Sequence, residues 1–284
     1  MVQALSSPTP GQKGNITDIL SQPSKVELYE SGLSGSAWLL FIGVIIIVGG
    51  GALAIATSNG DALSALGTLI GAWIIGGILG YAGYLAISNA LKIERLRLAA
   101  HMLRSISLHA TLAEQKGNKE ALELIQKMAK REKGFITRTF RAAGANVEEA
   151  FVEGAIRGIK EKTEPPYILV YRNGVLDTPS TLAANLTART AGTALGALAF
   201  IFLGIILLAV AVIIGSIIAY TTANTLRNHA KLENKIRRLL GLEEKPADAP
   251  GAGGLIASIL TGGLYLPIYT RKLTDSITAH VTSH

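Results

Sequence analysis

Two long apolar runs separated by a short polar turn stand out in the pattern of hydrophobic and polar positions along this chain. The runs cover 37–56 and 62–87, and the polar turn lies at 57–61. Each run has about 20 residues or more and contains no Asp, Glu, Lys, Arg or His, which suits a helix that crosses the hydrocarbon core of a bilayer. A third run at 194–219 has the same character. The pattern predicts an α-helical integral membrane protein.

The stretch that follows the second run changes to a basic, helical pattern. Leu96, Ala99 and Leu103 recur at the spacing of one helix face, and further helices are predicted over 120–133 and 146–162. Apolar and β-branched residues flank Asn173-Gly174, which favours a tight β-turn and predicts a small β-hairpin at 167–177. The predicted organisation is a polar N-terminal tail (1–35), a transmembrane hairpin (36–88), a basic cytoplasmic helical region with the β-hairpin (89–193), a third span (194–222), and a basic amphipathic helix, linker and weak fourth span or re-entrant segment (223–284).

Glycines recur at helical spacing in the first two apolar runs. Lipid supplies no hydrophobic force between helices, so close backbone contact at small residues is the usual means of association. The second run carries glycines on two faces, and one face suffices for its partner in the hairpin. The other face therefore predicts a further neighbour, and we expect a homo-oligomer. The predicted packing and oligomerisation residues are Gly43, Gly50, Gly67, Gly71, Gly76, Gly80 and Gly83.

The charge distribution predicts an orientation and also creates a conflict. The chain carries a net charge of +7, and 88–193 holds seventeen Lys and Arg against eleven Asp and Glu. The positive-inside rule places this region in the cytoplasm and the 57–61 turn outside. A third complete crossing would put the basic segment 225–245 outside as well. Either 251–269 crosses as a fourth span, which is our preferred prediction, or 194–222 enters and leaves on one side.

Basic residues beside the apolar runs are expected to contact membrane lipids with anionic headgroups. A dedicated nucleic-acid surface is disfavoured because carboxylates are interspersed among the cations. The predicted lipid contacts are Lys92, Arg95, Arg97, Arg104, Arg227, Lys231, Arg237 and Arg238.

No residue pattern indicates a reaction or a cofactor. The chain has no Cys, which excludes disulfides and thiol catalysis, and the scarcity of Cys and Met suggests a thermophilic source. His101 and His109 are eight positions apart, too far for the i, i+4 ligand spacing of a helix, and His229 and His280 have no evident supporting ligands. The sequence therefore predicts no catalytic, cofactor-binding or metal-binding residue and no enzymatic activity, and it identifies no small-molecule substrate.

Segments 226–241, 255–265 and 269–280 combine a basic helix, an apolar stretch with a Thr-Gly-Gly break, and a following stretch that begins with Tyr269. This C-terminal quarter resembles small archaeal-type prokaryotic multi-span membrane proteins. Pro267 departs from the resemblance, because an aromatic residue is usual at that position. The resemblance implies a multi-span membrane protein and no particular activity.

These observations together predict a non-enzymatic, multi-pass membrane protein of a cell membrane or virion envelope. Its expected role is structural or membrane-organising, with self-assembly through the glycine faces, and one specific version is an archaeal viral envelope protein. The alternative is a passive channel or uncoupled small-solute transporter. An ion-coupled carrier is disfavoured because the apolar runs contain no Asp, Glu, Lys, Arg or His.

Overall fold

The computed structural model describes residues 16–30, 35–57, 61–145, 147, 164–198 and 204–283. These parts of the chain are helical, and no strand occurs among them. Most of the predicted 146–162 helix lies outside the described residues. The helices are α1 (Ile16–Ser21), α2 (Lys25–Leu28), α3 (Leu39–Thr57), α4 (Ala62–Gln115), α5 (Lys119–Ala142), α6 (Pro166–Arg172), α7 (Pro179–Leu198), α8 (Gly204–Leu239), α9 (Ala252–Leu260) and α10 (Leu266–Thr282).

Helices α3 and α4 form the predicted antiparallel hairpin. Three helices are long and apolar enough to cross a membrane by length and composition, namely α3, α4 and the part of α8 from Leu208. The apolar part of α3 buries little inside the protein, as expected of a surface that faces lipid. Side chains such as Ile55 and Leu63 are more than three-quarters exposed. The prediction of an α-helical protein with a candidate transmembrane hairpin is confirmed at this level.

Helix α4 continues far beyond its apolar part and organises the rest of the molecule. It has 54 residues and is therefore about 80 Å long at 1.5 Å per residue. The apolar part ends near Ile87, and the following half carries mostly buried residues, including Leu98, Met102 and Ile106. Helices α5, α8 and α10 pack against this half and form a helical body with a continuous hydrophobic core.

Part of the predicted N-terminal tail is folded onto this body. Helix α2 begins with a capping box in which Ser24 and Glu27 bind each other's backbone N–H groups. Leu20 and Val26 are buried in the core. The apolar side chains of this segment therefore pack against the helical body. Its polar composition alone did not predict this.

The predicted β-hairpin at 167–177 is wrong. Pro166 starts α6, and Val175–Asp177 is a single 3-10 turn. Asn173-Gly174 ends the helix, with Gly174 at a φ of 76° donating its N–H to the Tyr171 carbonyl. A Gly in the left-handed region serves a helix C-terminus as well as a β-turn. Tyr167, Ile168 and Val170 are buried, which the face of a helix achieves here without a partner strand.

The weak fourth segment is a pair of helices joined by a turn. Helix α9 has nine residues, about 13 Å, which is less than half the hydrocarbon thickness of a bilayer. Gly262 and Gly263 then adopt positive φ values of 61° and 98°, and the chain reverses into α10. The helix lengths therefore do not support our preferred prediction, a complete crossing by 251–269.

Candidate metal centre

Three histidines and one glutamate from three helices meet in the middle of the helical body. His101 comes from α4, His229 and Glu233 from α8, and His280 from α10. Each of the four is 1 % exposed. The imidazole centroids form a nearly regular triangle with sides of 5.1 to 5.6 Å, and each pair of rings is close to perpendicular. The three ring planes are thus nearly perpendicular to one another around a common centre.

One nitrogen of each ring and one carboxylate oxygen surround a common point. The Nε2 atoms of His280, His229 and His101 lie 2.9, 3.4 and 3.6 Å from Oε2 of Glu233. One potential ligand atom from each of the four residues can be chosen so that all lie within 4.8 Å of one another. In a tetrahedral zinc site with bonds near 2.05 Å, neighbouring ligand atoms are about 3.3 Å apart. The three distances from Oε2 of Glu233 to the ring nitrogens therefore fit edges of such a tetrahedron, and the remaining spacings are at most 4.8 Å.

These four atoms are buried without a hydrogen-bond partner among the described residues. Nε2 of His101, His229 and His280 and Oε2 of Glu233 all lack a bond of acceptable geometry in spite of their short separations. Burying an unsatisfied polar atom costs about 1–3 kcal/mol, so four such atoms in one place require an explanation. A cation at the centre would satisfy all of them at once.

The opposite nitrogen of each ring has a partner in the surrounding protein. Nδ1 of His229 lies 2.9 Å from Oε1 of Glu132, and Nδ1 of His280 lies 2.6 Å from the Pro246 carbonyl oxygen. Nδ1 of His101 lies 3.2 Å from Nη2 of Arg104, a group that can only donate, and 3.4 Å from Oε1 of Glu27. Metal-bound histidines usually donate their second N–H to a carboxylate or carbonyl, as the contacts of His229 and His280 allow, which orients the ring and leaves Nε2 free for the metal.

The second carboxylate oxygen of Glu233 faces a cation of the protein. Nζ of Lys245 lies 3.9 Å from Oε1 of Glu233 and 3.5 Å from the His280 carbonyl oxygen. Asn234 binds the backbone of Lys245 in both directions and so fixes this segment against α8. Oε1 thus faces the Lys245 ammonium, and Oε2 is the oxygen of Glu233 that faces the three Nε2 atoms.

The electrostatics of the cluster favour a neutral ligand at His101. Burial lowers the pKa of His101 to about 4, although Glu233 and Glu27 act in the opposite direction. Burial also acts to lower the pKa of His229, but the charge and hydrogen bond of Glu132 outweigh it and raise that pKa to about 10. For Glu233, burial acts to raise the pKa, and the three imidazoles hold it well below its usual range. Because metal ligands must be deprotonated, a metal bound at His229 would displace a proton.

Glu27 connects the folded N-terminal segment to the cluster. Its Oε1 accepts a 2.6 Å hydrogen bond from Nε of Arg104, and its Oε2 lies 3.2 Å from the Tyr167 hydroxyl. Burial alone would raise the pKa of Glu27, but the charge of Arg104 and the bond from His101 lower it to about 2. Glu27 is therefore an ionised carboxylate that supports His101 from the far side of the ring.

The helix positions explain why these side chains meet. His229 and Glu233 are four residues apart, so they project from the same face of α8 toward α4. The linker after α8 passes over α10, where the Pro246 carbonyl meets His280. Helix α10 is held in turn by Thr278, whose Oγ1 lies 3.2 Å from the Arg97 guanidinium of α4.

Most of the predicted glycine contacts lie within the chain. A Cβ on Gly43 would come within 2.5 Å of backbone atoms of Gly76 and Gly80, and a Cβ on Gly83 would be 2.0 Å from the backbone nitrogen of Leu40. Gly50 stands against Ala72 in the same α3–α4 contact. Gly67 and Gly71 have nothing within 4 Å of such a Cβ, so their face of α4 is open.

The predicted lipid-contacting cations divide into buried and accessible groups. Arg97, Arg104 and Arg237 are at most 7 % exposed, and they bind Glu94, Glu27 and the Glu243 carbonyl, so the prediction of lipid contact is wrong for them. The other five cations keep exposed surface: Lys92, Arg95, Arg227, Lys231 and Arg238. Four of them also contact the protein. Lys92 binds the Thr190 hydroxyl, Arg95 lies over the Phe135 ring, Arg227 binds the Ala249 and Pro250 carbonyls, and Arg238 pairs with Glu244.

The sequence prediction missed this candidate metal cluster because its four residues are far apart along the chain. His101 lies more than 120 residues before His229, and His280 follows Glu233 by 47. One local signal was present, since His229 and Glu233 have the i, i+4 spacing of two ligands on a helix. His109, considered beside His101, points elsewhere: its Nδ1 lies 2.8 Å from the Ser105 carbonyl oxygen.

Comparisons with known proteins found no relative of this chain. No family model matches the sequence, and neither the curated proteins nor the solved structures contain a similar protein. The resemblance of the C-terminal quarter to archaeal-type membrane proteins stays a prediction.

Proposed function

We propose that this chain is a membrane-anchored protein that holds one divalent transition-metal ion, zinc in the first place, in the cluster of His101, His229, Glu233 and His280. The convergence of four unpartnered, buried ligand atoms on one point carries the proposal. Imidazole ligands suit zinc, iron, nickel and copper, and zinc accepts both imidazole nitrogen and carboxylate oxygen in a tetrahedral arrangement.

The role of the metal is structural rather than catalytic. Catalytic zinc sites keep a position open for water or substrate, whereas structural sites are closed by four protein ligands. Here four side chains supply the set, and all are buried. The ion joins α4, α8 and α10, and through Glu27 it supports the N-terminal segment. This agrees with the non-enzymatic, structural role that the sequence predicts.

Self-assembly in a cell or virion membrane is a second part of the proposal. Gly67 and Gly71 lie one helical turn apart on α4, and a Cβ at either position would meet no other atom of the chain within 4 Å. A second copy could approach closely at this face. Light scattering of the protein in detergent tests this role, and a strict monomer would contradict it.

Metal content of the purified protein tests the proposed centre. We expect about one zinc ion per chain by inductively coupled plasma mass spectrometry, and loss of it in His280→Asn. His109→Asn is the matched control, because His109 is equally buried on α4 but lies outside the cluster. Circular dichroism confirms folding of both variants. A wild-type protein without metal after expression in zinc-supplemented medium, or undiminished metal in His280→Asn, would contradict the proposal.

A further inference from the structure

Contacts with α4 show which residues of α7 and α8 lie at which position along the α4 axis. Nζ of Lys92 is 2.6 Å from Oγ1 of Thr190, which sets the level of α7. A Cβ on Gly80 would lie 2.8 Å from the Leu208 side chain, which sets the level of the start of α8. Farther along, His229 of α8 meets His101 of α4 in the metal cluster.

Helix α8 therefore runs parallel to α4 and in step with it. Gly80 and His101 are 21 residues apart, and so are Leu208 and His229. Both helices run from the membrane toward the metal centre. Helix α7 runs the opposite way, because the chain must pass from Thr190 to the start of α8.

The start of α8 falls well short of the far side of the membrane. Ala62, the first residue of α4, precedes Gly80 by 18 residues, about 27 Å of helix. Gly204, the first residue of α8, precedes Leu208 by four residues, about 6 Å. Helix α8 thus begins about 20 Å before the level at which α4 emerges near the 57–61 turn.

The connection between α7 and α8 is too short to cover that distance twice. Five residues join Leu198 to Gly204, and an extended chain reaches at most about 3.6 Å per residue. The link could not travel 20 Å to the other side of the membrane and return. Both ends of this helix pair consequently lie on the side of the metal centre.

From this geometry we infer that 179–239 is a re-entrant hairpin whose apolar surface contacts the lipid of one leaflet only, the leaflet on the side of the metal centre. Only α3 and α4 cross the bilayer. The face that meets lipid includes Val210, Ile213 and Ile214, which are more than 40 % exposed. This face continues the exposed apolar surface of α4 at Ile75 and Ile78.

The C-terminal helix pair has the same one-sided arrangement. A Cβ on Gly263, in the turn between α9 and α10, would lie 2.7 Å from Val212, so the turn reaches only the level of Val212 beside α8. From there α10 returns to the metal centre at His280. Exposed Ile256 and Leu260 on α9 extend the lipid-facing surface within the same leaflet.

The distribution of charge supports this topology independently. With 179–239 as a re-entrant hairpin, the basic end of α8 lies on the same side as the basic region after α4. The positive-inside rule is then satisfied without exception, and the conflict produced by a third complete crossing disappears. That side is the cytoplasmic one by the same rule.

Cysteine labelling tests the topology directly, because the natural chain has no Cys. Single variants Asn173→Cys and Glu243→Cys report the two ends of the hairpin. Glu114→Cys reports the side of the membrane on which the metal centre lies, and Thr57→Cys reports the opposite side. All four positions are exposed. Each is treated with a membrane-impermeant maleimide in intact cells and in inverted membrane vesicles of the expression host. Labelling after detergent lysis gives the value for full accessibility.

We expect positions 114, 173 and 243 to be labelled in inverted vesicles and protected in intact cells, and position 57 to show the reverse. Labelling of 173 and 243 from opposite sides would show that the segment crosses and would overturn the inference. Labelling of 57 and 114 from the same side would overturn the crossing by α3 and α4 as well. Metal content measured on the same variants is independent of these outcomes, so a failure of the topology and a failure of the metal centre are distinguishable.

Discussion

Nδ1 of His229 lies 2.9 Å from Oε1 of Glu132, which joins α8 to α5 behind the proposed metal centre. Loss of such a supporting carboxylate typically weakens metal binding 10- to 100-fold. We expect Glu132→Gln to lower zinc affinity by a factor in this range, measured by competition with a chromophoric chelator. Glu123→Gln on an exposed position of α5 is the control and should leave the affinity unchanged. Equal affinity in both variants would contradict the supporting role of Glu132.

Removal of the metal should destabilise the helical body. A ligand that binds only the folded protein stabilises it by about 2.7 kcal/mol when its free concentration is a hundred times Kd. We therefore expect a strong chelator to lower the melting temperature of the detergent-solubilised protein, and added zinc to restore it. His280→Asn should show neither change. If wild type and His280→Asn respond equally to the chelator, the stabilising metal is bound elsewhere.

Gly43 and Gly71 provide a matched test of the α3–α4 contact. A Cβ at position 43 would lie 2.3 Å from the backbone nitrogen of Gly80, whereas a Cβ at position 71 meets no atom within 4 Å. Both lie inside helices, where Ala is intrinsically favoured over Gly. We expect Gly43→Ala to cost roughly 1–3 kcal/mol through overpacking and Gly71→Ala to be neutral or slightly stabilising. The measurement is thermal or denaturant-induced unfolding in detergent, and a neutral Gly43→Ala would show that the helices do not pack as described.

Arg97 and Arg238 separate a buried ion pair from an exposed one. Nη1 of Arg97 is 2.9 Å from Oε2 of Glu94, with both side chains at most 1 % exposed, and its Nε donates to the Glu27 carbonyl. The Arg238–Glu244 pair is largely exposed. We expect Arg97→Ala to destabilise by about 3 kcal/mol or more and Arg238→Ala by less than about 1 kcal/mol. Unfolding curves of similar midpoint for the two variants would contradict the burial of Arg97.

The burial of Arg97 and the exposure of Lys231 also predict different effects on lipid binding. Because Lys231 is exposed and Arg97 is buried, Lys231→Ala should weaken the association of the protein with anionic lipid in nanodiscs slightly, in proportion to the loss of one surface charge. Arg97→Met should leave lipid association unchanged wherever the variant folds. A large loss of lipid association in Arg97→Met would restore that residue as a lipid contact.

Local sequence signals were sufficient where one interaction decides the structure. The lengths of the apolar runs predict α3 and the first half of α4, because burying backbone polar groups in hydrocarbon requires a continuous helix. Asn173-Gly174 misled for a physical reason: a positive φ at Gly174 suits a helix end as well as a hairpin, and only the packing of Tyr167 and Val170 distinguishes the two. The third apolar run has the length of a span, but length carries no information on where its ends lie.

The sequence by itself determined that this protein is helical, that part of it suits a membrane, and that its cations are concentrated beyond the second apolar run. These properties follow from hydropathy and charge, which act residue by residue. Only the tertiary structure decided that His101, His229, Glu233 and His280 share one buried point, and that α8 runs parallel to α4 in matching register. Both depend on the register between helices distant in sequence, and that register is set by side-chain packing along α4.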